Sequence, residues 1–183
     1  MDALKLELDF DATRKGIRDQ LFGLLSASQV EAITAQVQAM AESDAHFHDV
    51  GAVEAAINAA DIPESVKQDA CGIYQVLAQA EAQVHGCAVE ETHFHEVGNS
   101  EAVANVLSVC LAVAALEPGE IVATPIQTGQ GKVRCAHGLL DIPAPATAAI
   151  IARGIPVVDV KRDGEWCTPT SAAIIYHFVD RFE

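Results

Sequence analysis

Two histidines on either side of a phenylalanine are the most suggestive chemical feature of this sequence. The motif His-Phe-His-Glu-Val-Gly occupies positions 93–98, so that His93 and His95 flank Phe94. In an extended segment residues i and i+2 point to the same side, and both imidazoles would then face one way. The carboxylate of Glu96 could act as a third ligand or orient an imidazole. Two histidines and a carboxylate suit zinc, nickel, iron or copper, and residue type alone leaves that choice open.

A second copy of this pattern occurs earlier in the chain, where His46 and His48 flank a phenylalanine. Each copy precedes a helical pattern. The repeat indicates either a small pseudo-symmetry or convergence on the same local chemistry, since two copies are too few for a solenoid. His85, at the predicted end of a helix, is a further candidate ligand. The alternative is that these histidines only cap helices and pack in turns. Four of the seven histidines lie in the two motifs, which favours metal binding.

The C-terminal third contains further residues that could contact a cofactor or ligand: Gly129, Gly131, Cys135, His137, Thr168 and Thr170. The thiol and imidazole of Cys-Ala-His-Gly at 135–138 could ligate a metal or assist a proton transfer. The glycine-rich loop could present backbone N–H groups to an anion, although it is not a Walker loop. The two threonines precede the last predicted helix, and N-capping is their ordinary interpretation. A Ser-His-Asp hydrolase is not indicated, because no Gly-x-Ser-x-Gly occurs.

The pattern of apolar and polar residues predicts the elements that must position these side chains. It indicates an α+β fold that is helical over the first two-thirds, with a small β-sheet and a closing helix in the C-terminal third. The helical pattern over 13–40 is interrupted by Ser-Ala-Ser, and a further helix begins near Val53. The next predicted helix runs from near Pro63 to a stop at His85-Gly86. The remaining predicted helices are Ser100–Leu116, Ala146–Ala152 and Ser171–Phe182. Predicted strands are Leu4–Phe10, Ile121–Thr124, Lys132–Cys135 and Val157–Val160. Residues 1–183 then form one domain, with a helical metal-binding part over 1–117 and an α/β part over 118–183.

Composition narrows the function classes. The formal net charge of −15 disfavours nucleic acid and anionic lipid as partners. The longest apolar run, 103–116, falls short of the roughly 20 residues that a membrane span requires. The five cysteines are odd in number and include no Cys-x-x-Cys, which predicts reduced thiols. The N-terminal residues lack the pattern of a secretory signal, so we expect a cytoplasmic protein.

Several motifs match one known family in the same order. They are Ala-Glu-Ala-Gln-Val-His-Gly at 80–86, His-Phe-His-Glu-Val-Gly at 93–98, the glycines at 129 and 131, Cys-Ala-His-Gly at 135–138, Pro-Ala-Pro-Ala-Thr at 143–147 and Thr-Pro-Thr at 168–170. In this combination the chain resembles the LarC family, the nickel insertion proteins of the lactate-racemase cofactor pathway. The resemblance covers about two-thirds of the chain.

The resemblance implies a CTP-dependent metallochelatase, a lyase-type enzyme that inserts nickel into pyridinium-3,5-bisthiocarboxylic acid mononucleotide. Nickel is therefore the expected metal, with zinc or another divalent ion as the alternative. The family's CTP site lies in a separate C-terminal domain, which we expect to be absent from this chain. Expected partners are the cofactor precursor, a separate CTP-binding chain and further copies of this chain in a homo-oligomer. The alternative function is a non-catalytic divalent-metal-binding or interaction domain that has lost the reaction.

The resemblance also assigns residues. It implies a metal-handling centre of His93, His95 and Glu96, with His85 and His137 nearby, and it matches His46 and His48 to a looser stretch of the family. Two aspartates on the family's next helix correspond to Glu101, a further candidate metal ligand, and to Asn105, so one carboxylate is lost. Asp141 and Ser171 replace a proline and a glycine, and the family's Gly-Asp-Met segment has no counterpart in residues 1–20. No residue is assigned a catalytic role.

Overall fold

Five helices make up most of the first two-thirds of the protein in the computed structural model, which describes residues 2–183. They are α1 (Arg14–Gly23), α2 (Ala27–Ala41), α3 (Val50–Ala59), α4 (Glu64–His85) and α5 (Ser100–Leu116), and a 3-10 turn lies over Val89–Glu91. Eleven of the 17 residues of α5 are buried, and the helix packs against α1, α2 and α4. It is therefore the central core helix that its apolar sequence predicts.

Helix ends follow local side-chain signals. Thr13, Asp49 and Asn99 precede α1, α3 and α5, and each side chain accepts a backbone N–H of the first helical turn. Ser26 begins α2 with a capping box, which explains why the chain breaks at Ser-Ala-Ser. Gly86 ends α4 in the left-handed conformation at φ 66°, which glycine adopts without strain.

A parallel three-stranded sheet joins the two ends of the chain. Its order is β1 (Ala3–Leu6), β2 (Glu120–Ala123) and β7 (Arg181–Phe182). Leu6 and Ile121 of this sheet pack with side chains of α1, α5 and α7 (Pro169–Phe178). The long connection between β1 and β2 contains all five early helices, as a parallel crossover allows.

The rest of the C-terminal third consists of short elements. They are β3 (Gly129–Gln130), β4 (Lys132–Cys135), β5 (Gly138–Asp141), α6 (Pro145–Ile151) and β6 (Gly164–Glu165). Strands β4 and β5 form an antiparallel hairpin in which Cys135 pairs with Gly138, so Ala136 and His137 are its turn. Strands β3 and β6 form a second antiparallel pair. The predicted α+β class, with its helices early and its strands late, is confirmed.

Three element predictions were wrong. The strand predicted over Leu4–Phe10 ends at Leu6, because β2 pairs only with Ala3–Leu6. Val157–Val160 is not a strand: Val157 forms a single bridge with Ile126, and Val160 is 82% exposed. Strand-forming residues need a neighbouring strand to pair with, and this segment has one only at that bridge. The closing helix was placed over Ser171–Phe182, but α7 ends at Phe178. Val179 is extended there, which allows the last residues to join β2 as β7.

Within residues 2–183, no helix has both the length and the apolar character needed to cross a membrane.

Candidate metal-handling site and ligand cavity

The two His-Phe-His motifs lie side by side. Phe47 donates its N–H to the carbonyl oxygen of Gly98 at 2.7 Å, and Phe94 donates to that of His48 at 2.7 Å. Phe94 is buried against the ring of Tyr74, with the two centroids 5.9 Å apart, whereas His93 and His95 are exposed. The alternation predicted for this motif, with imidazoles out and phenylalanine in, is therefore what the structure has.

Gly98 permits this close pairing. A Cβ atom there would lie 2.0 Å from the carbonyl oxygen of Phe47 and 2.9 Å from the Cβ of Phe94. No side chain fits at such distances, so the glycine of the second motif is required for space.

The first motif supports the second. His46 and His48 stack on each other with centroids 4.6 Å apart, and Nε2 of His46 donates to the carbonyl oxygen of His95 at 2.8 Å. Asp49 caps α3 by accepting the N–H of Ala52. The structure does not bring His46 and His48 into the cavity that the second motif lines.

That cavity has a volume of about 740 Å³, within the usual range for a small-molecule site. The first residues of α1, α5, α6 and α7, the last turn of α4 and the β4–β5 hairpin surround it. Most of the candidate residues predicted from sequence line its wall. They come from the middle third and the C-terminal third of the chain. These lining residues are His85, His93, His95, Glu96, Glu101, Cys135, His137, Thr168 and Thr170.

Three imidazoles come together at one wall of the cavity. The ring of His137 lies 5.1 Å from that of His85 and 5.1 Å from that of His95, measured between centroids. These residues come from the hairpin turn, the end of α4 and the second motif. Glu81 pairs with His85, with 3.4 Å between Oε2 and Nε2. As arranged, no three His, Cys, Asp or Glu side chains of residues 2–183 are close enough to hold one ion together. An ion held by this imidazole cluster must therefore draw the rings closer.

Glu96 positions the hairpin turn. Its Oε1 accepts the backbone N–H of Ala136 at 3.0 Å, next to His137. Glu165 lies on the same cavity, where burial raises its carboxyl pKa and the charge of Glu96 raises it further. The carboxylate of Glu96 thus bonds the backbone of the hairpin turn and no imidazole, and its predicted role as a ligand or as a support for an imidazole stays a prediction.

The glycine-rich loop does not line the cavity. Gly129 has a φ of 83°, and a Cβ there would lie 1.8 Å from the carbonyl oxygen of Gly164. Its N–H donates to the side chain of Gln127, so it is used within the fold, and Gly131 is exposed elsewhere. At the cavity, Thr168 caps α7 by accepting the N–H of Ser171, which is the N-capping role expected of it.

Sequence reasoning missed three basic residues on the cavity: Arg14, Lys15 and Arg134. Burial lowers the pKa of the Arg14 guanidinium below its usual value. The electrostatic interactions of Arg14 with Tyr74 and Glu101 partly offset this by raising the same pKa. The available signal was weak. Arg14 and Lys15 directly follow the N-cap Thr13 in a chain that has only 11 basic residues.

Asn105, which stands where the resemblance places a second carboxylate, is also outside the cavity lining. Its Oδ1 accepts from Nη1 of Arg18 at 3.2 Å. At this position the chain has an amide that binds a neighbouring helix, and no carboxylate directed to the cavity.

The α+β fold thus places imidazoles, a thiol, carboxylates and guanidinium groups around one cavity, a lining that contains side chains able to ligate a metal and side chains able to bind an organic anion. The chain belongs to the nickel insertion protein family, whose model matches residues 11–183. Several relatives carry the name pyridinium-3,5-bisthiocarboxylic acid mononucleotide nickel insertion protein.

The relative from Staphylococcus saprophyticus is 41% identical over 119 residues, covering 65% of this chain and 30% of the relative. The relative from Staphylococcus epidermidis is 37% identical over 141 residues, covering 77% of this chain and 35% of the relative. The relative from Geobacillus kaustophilus is 34% identical over 126 residues, covering 69% of this chain and 30% of the relative. The chain thus spans about a third of the length of the curated relatives that it matches. No solved structure matches it.

Proposed function

We propose that this chain binds nickel at the imidazole cluster and presents it for insertion into pyridinium-3,5-bisthiocarboxylic acid mononucleotide, in the biosynthesis of the nickel-pincer cofactor. The observation that carries the proposal is the meeting of His85, His95 and His137 on one wall of a ligand-sized cavity. Imidazole is a good ligand for Ni²⁺ and Zn²⁺, and the nearby thiol of Cys135 adds a softer donor.

The loose spacing of the cluster suits a metal that is cargo. A structural zinc site is closed by four ligands, and its ion stays in place. An ion that is to be transferred must instead be released, which a site without four closely spaced ligands permits.

The rest of the reaction is proposed to need more than this chain. The relatives are about three times as long as the region that they share with it, and the family resemblance implies a CTP-dependent step. We propose that a CTP-binding chain or domain supplies that step, while the cavity holds nickel and the precursor. The free thiols agree with a reducing cytoplasm.

Calorimetry with Ni²⁺ tests the nickel site. A His95→Ala, His137→Ala double variant should lose the binding, because two of the three rings are removed. The matched control is His177→Gln, which removes an imidazole that does not line the cavity and should keep the binding. Unchanged stoichiometry in the His95, His137 variant would contradict the proposal. Repeating the titration with Zn²⁺ establishes which of the two metals the site prefers.

A second candidate function is a metal-binding module that has lost the reaction. Asn105 favours it, because this amide binds Arg18 where the family resemblance places a carboxylate. Supplying the precursor, nickel, CTP and the proposed CTP-binding chain or domain distinguishes the two. Mass spectrometry would detect a nickel-containing nucleotide, and only the first function produces one. Nickel binding without that product supports the second.

A further inference from the structure

We propose that Arg14, together with Lys15 and Arg134, forms an anion subsite of the cavity that binds the phosphate of the mononucleotide. This inference rests on the proposed function, because it assigns one end of the precursor to one part of the same cavity. None of the three residues belongs to a motif that the family resemblance picked out.

The guanidinium of Arg14 is the main evidence. Arg14 is half-buried on the cavity wall, and it takes part in none of the ion pairs or side-chain hydrogen bonds found among residues 2–183. The carboxylate of Glu101 influences it, but not within the 4.0 Å of an ion pair. A partly buried charge without a partner is costly to maintain. A phosphate in the cavity would offset that cost with charge-assisted hydrogen bonds.

Backbone groups add to the anion-binding character of the same region. α1, α5 and α7 all begin at the cavity, and their caps Thr13, Asn99 and Thr168 line it. The first N–H groups of a helix have no partner within the helix and carry partial positive charge. The side chain of Thr13 accepts only the N–H of Gly16. The backbone N–H groups of Arg14 and Lys15 therefore remain as donors next to the guanidinium, an arrangement that favours phosphate.

The distribution of charge points the same way. The chain carries 26 acidic and 11 basic residues, and its overall field repels an anionic ligand. Three of the 11 basic residues nevertheless line this one cavity. Arg134, like Arg14, forms no ion pair among the described residues, whereas Lys15 pairs with Asp19. Four glutamates also line the cavity, so attraction of a phosphate depends on the unpaired guanidinium groups of Arg14 and Arg134 and not on the net charge of the cavity.

Two chemically different linings then match a ligand with two different ends. The imidazole cluster and Cys135 suit the soft sulfur donors and the nickel that they receive. The planar guanidinium of Arg14 suits the phosphate, which it can bind through two parallel hydrogen bonds. A phosphate bound at Arg14 would fix one end of the precursor in the cavity that the imidazoles also line, and would so limit which end of it meets the metal.

The test uses nicotinic acid mononucleotide, which has a pyridinium ring, a carboxylate and a phosphate, and its riboside, which lacks the phosphate. Calorimetry without nickel gives the ratio of the two dissociation constants for each protein. In the unmodified chain the mononucleotide should bind about 10-fold to 100-fold more tightly than the riboside, as expected for charge-assisted hydrogen bonds. In Arg14→Gln that ratio should fall toward one, and Arg14→Lys should restore part of it.

Arg18→Gln is the matched control. Arg18 lies one turn further along α1 than Arg14 and does not line the cavity, so the substitution removes the same charge outside the proposed subsite. It should leave the ratio unchanged. An unchanged ratio in Arg14→Gln would overturn the inference, and so would equal binding of mononucleotide and riboside by the unmodified chain. Nickel titration of Arg14→Gln should match that of the unmodified chain. The subsite can therefore fail while the nickel site stands, or the reverse.

Discussion

Replacing Gly98 with alanine should destabilise the protein strongly, because the new methyl group would lie 2.0 Å from the carbonyl oxygen of Phe47. The two motifs must then move apart. Separation breaks the bonds from Phe47 N–H to Gly98 and from Phe94 N–H to His48, worth about 1 kcal/mol each. Displacing the buried ring of Phe94 adds about 1–3 kcal/mol. The expected loss is about 3–5 kcal/mol, a large part of the stability of a typical domain.

Gly51 occupies the equivalent position in the first motif and provides the control. Its added Cβ would have only Asp49 Oδ1 nearby, at 3.3 Å, and the residue lies within α3, where alanine is preferred over glycine. Both substitutions remove the same freedom from the unfolded chain, so their difference reports the folded contact. Urea unfolding followed by circular dichroism measures both free energies. Gly51→Ala should stay within about 1 kcal/mol of the unmodified chain. Equal stability of the two variants would refute the pairing of the motifs.

Two further predictions concern the cysteines. Burial raises the pKa of the Cys167 thiol from 9.0 to about 12, and it also raises the pKa of Cys110. The folded state therefore holds these protons more tightly than the unfolded chain. The stability that Cys167 contributes is complete below pH 9.0, is lost as the pH rises toward about 12, and amounts at most to on the order of 4 kcal/mol. Urea unfolding from pH 8 to pH 11 should show falling stability, and a constant value would count against the burial of the two thiols. At neutral pH, iodoacetamide should modify Cys135 on the cavity before Cys110 or Cys167, and nickel should slow that modification. Mass spectrometry of the modified peptides checks the order, and early labelling of Cys167 would contradict it.

The helical part of the fold was largely predictable because its signals are local. The apolar face of α5, the capping side chains before α1 and α5 and the left-handed Gly86 can each be identified from a few adjacent residues. Strands depend on distant partners, and for them sequence reasoning was less successful. The valines of 157–160 have the composition of a strand but only one bridging neighbour. Conversely, Arg181 and Phe182 form a strand only because β2 lies beside them.

The candidate site likewise has features that local sequence predicts and features that depend on distant parts of the chain. The outward direction of His93 and His95 follows from alternation along one segment, so sequence alone predicts it. The meeting of His85 with His137 depends on the hairpin turn lying against the end of α4, which no local pattern specifies. Arg14 is harder still to predict, because its role depends on which helix ends surround the cavity.

The repeat of the His-Phe-His pattern now has a physical interpretation that spacing alone could not supply. The two copies bond to each other through their backbones, and they present their imidazoles to different surroundings. The ring of His46 holds the carbonyl oxygen of His95, the residue whose own ring faces His137. One copy therefore fixes the backbone from which the other directs its side chain. A repeated motif that looks like two metal sites can in this way be one candidate site and its support, and the loss of either copy would disturb the same imidazole.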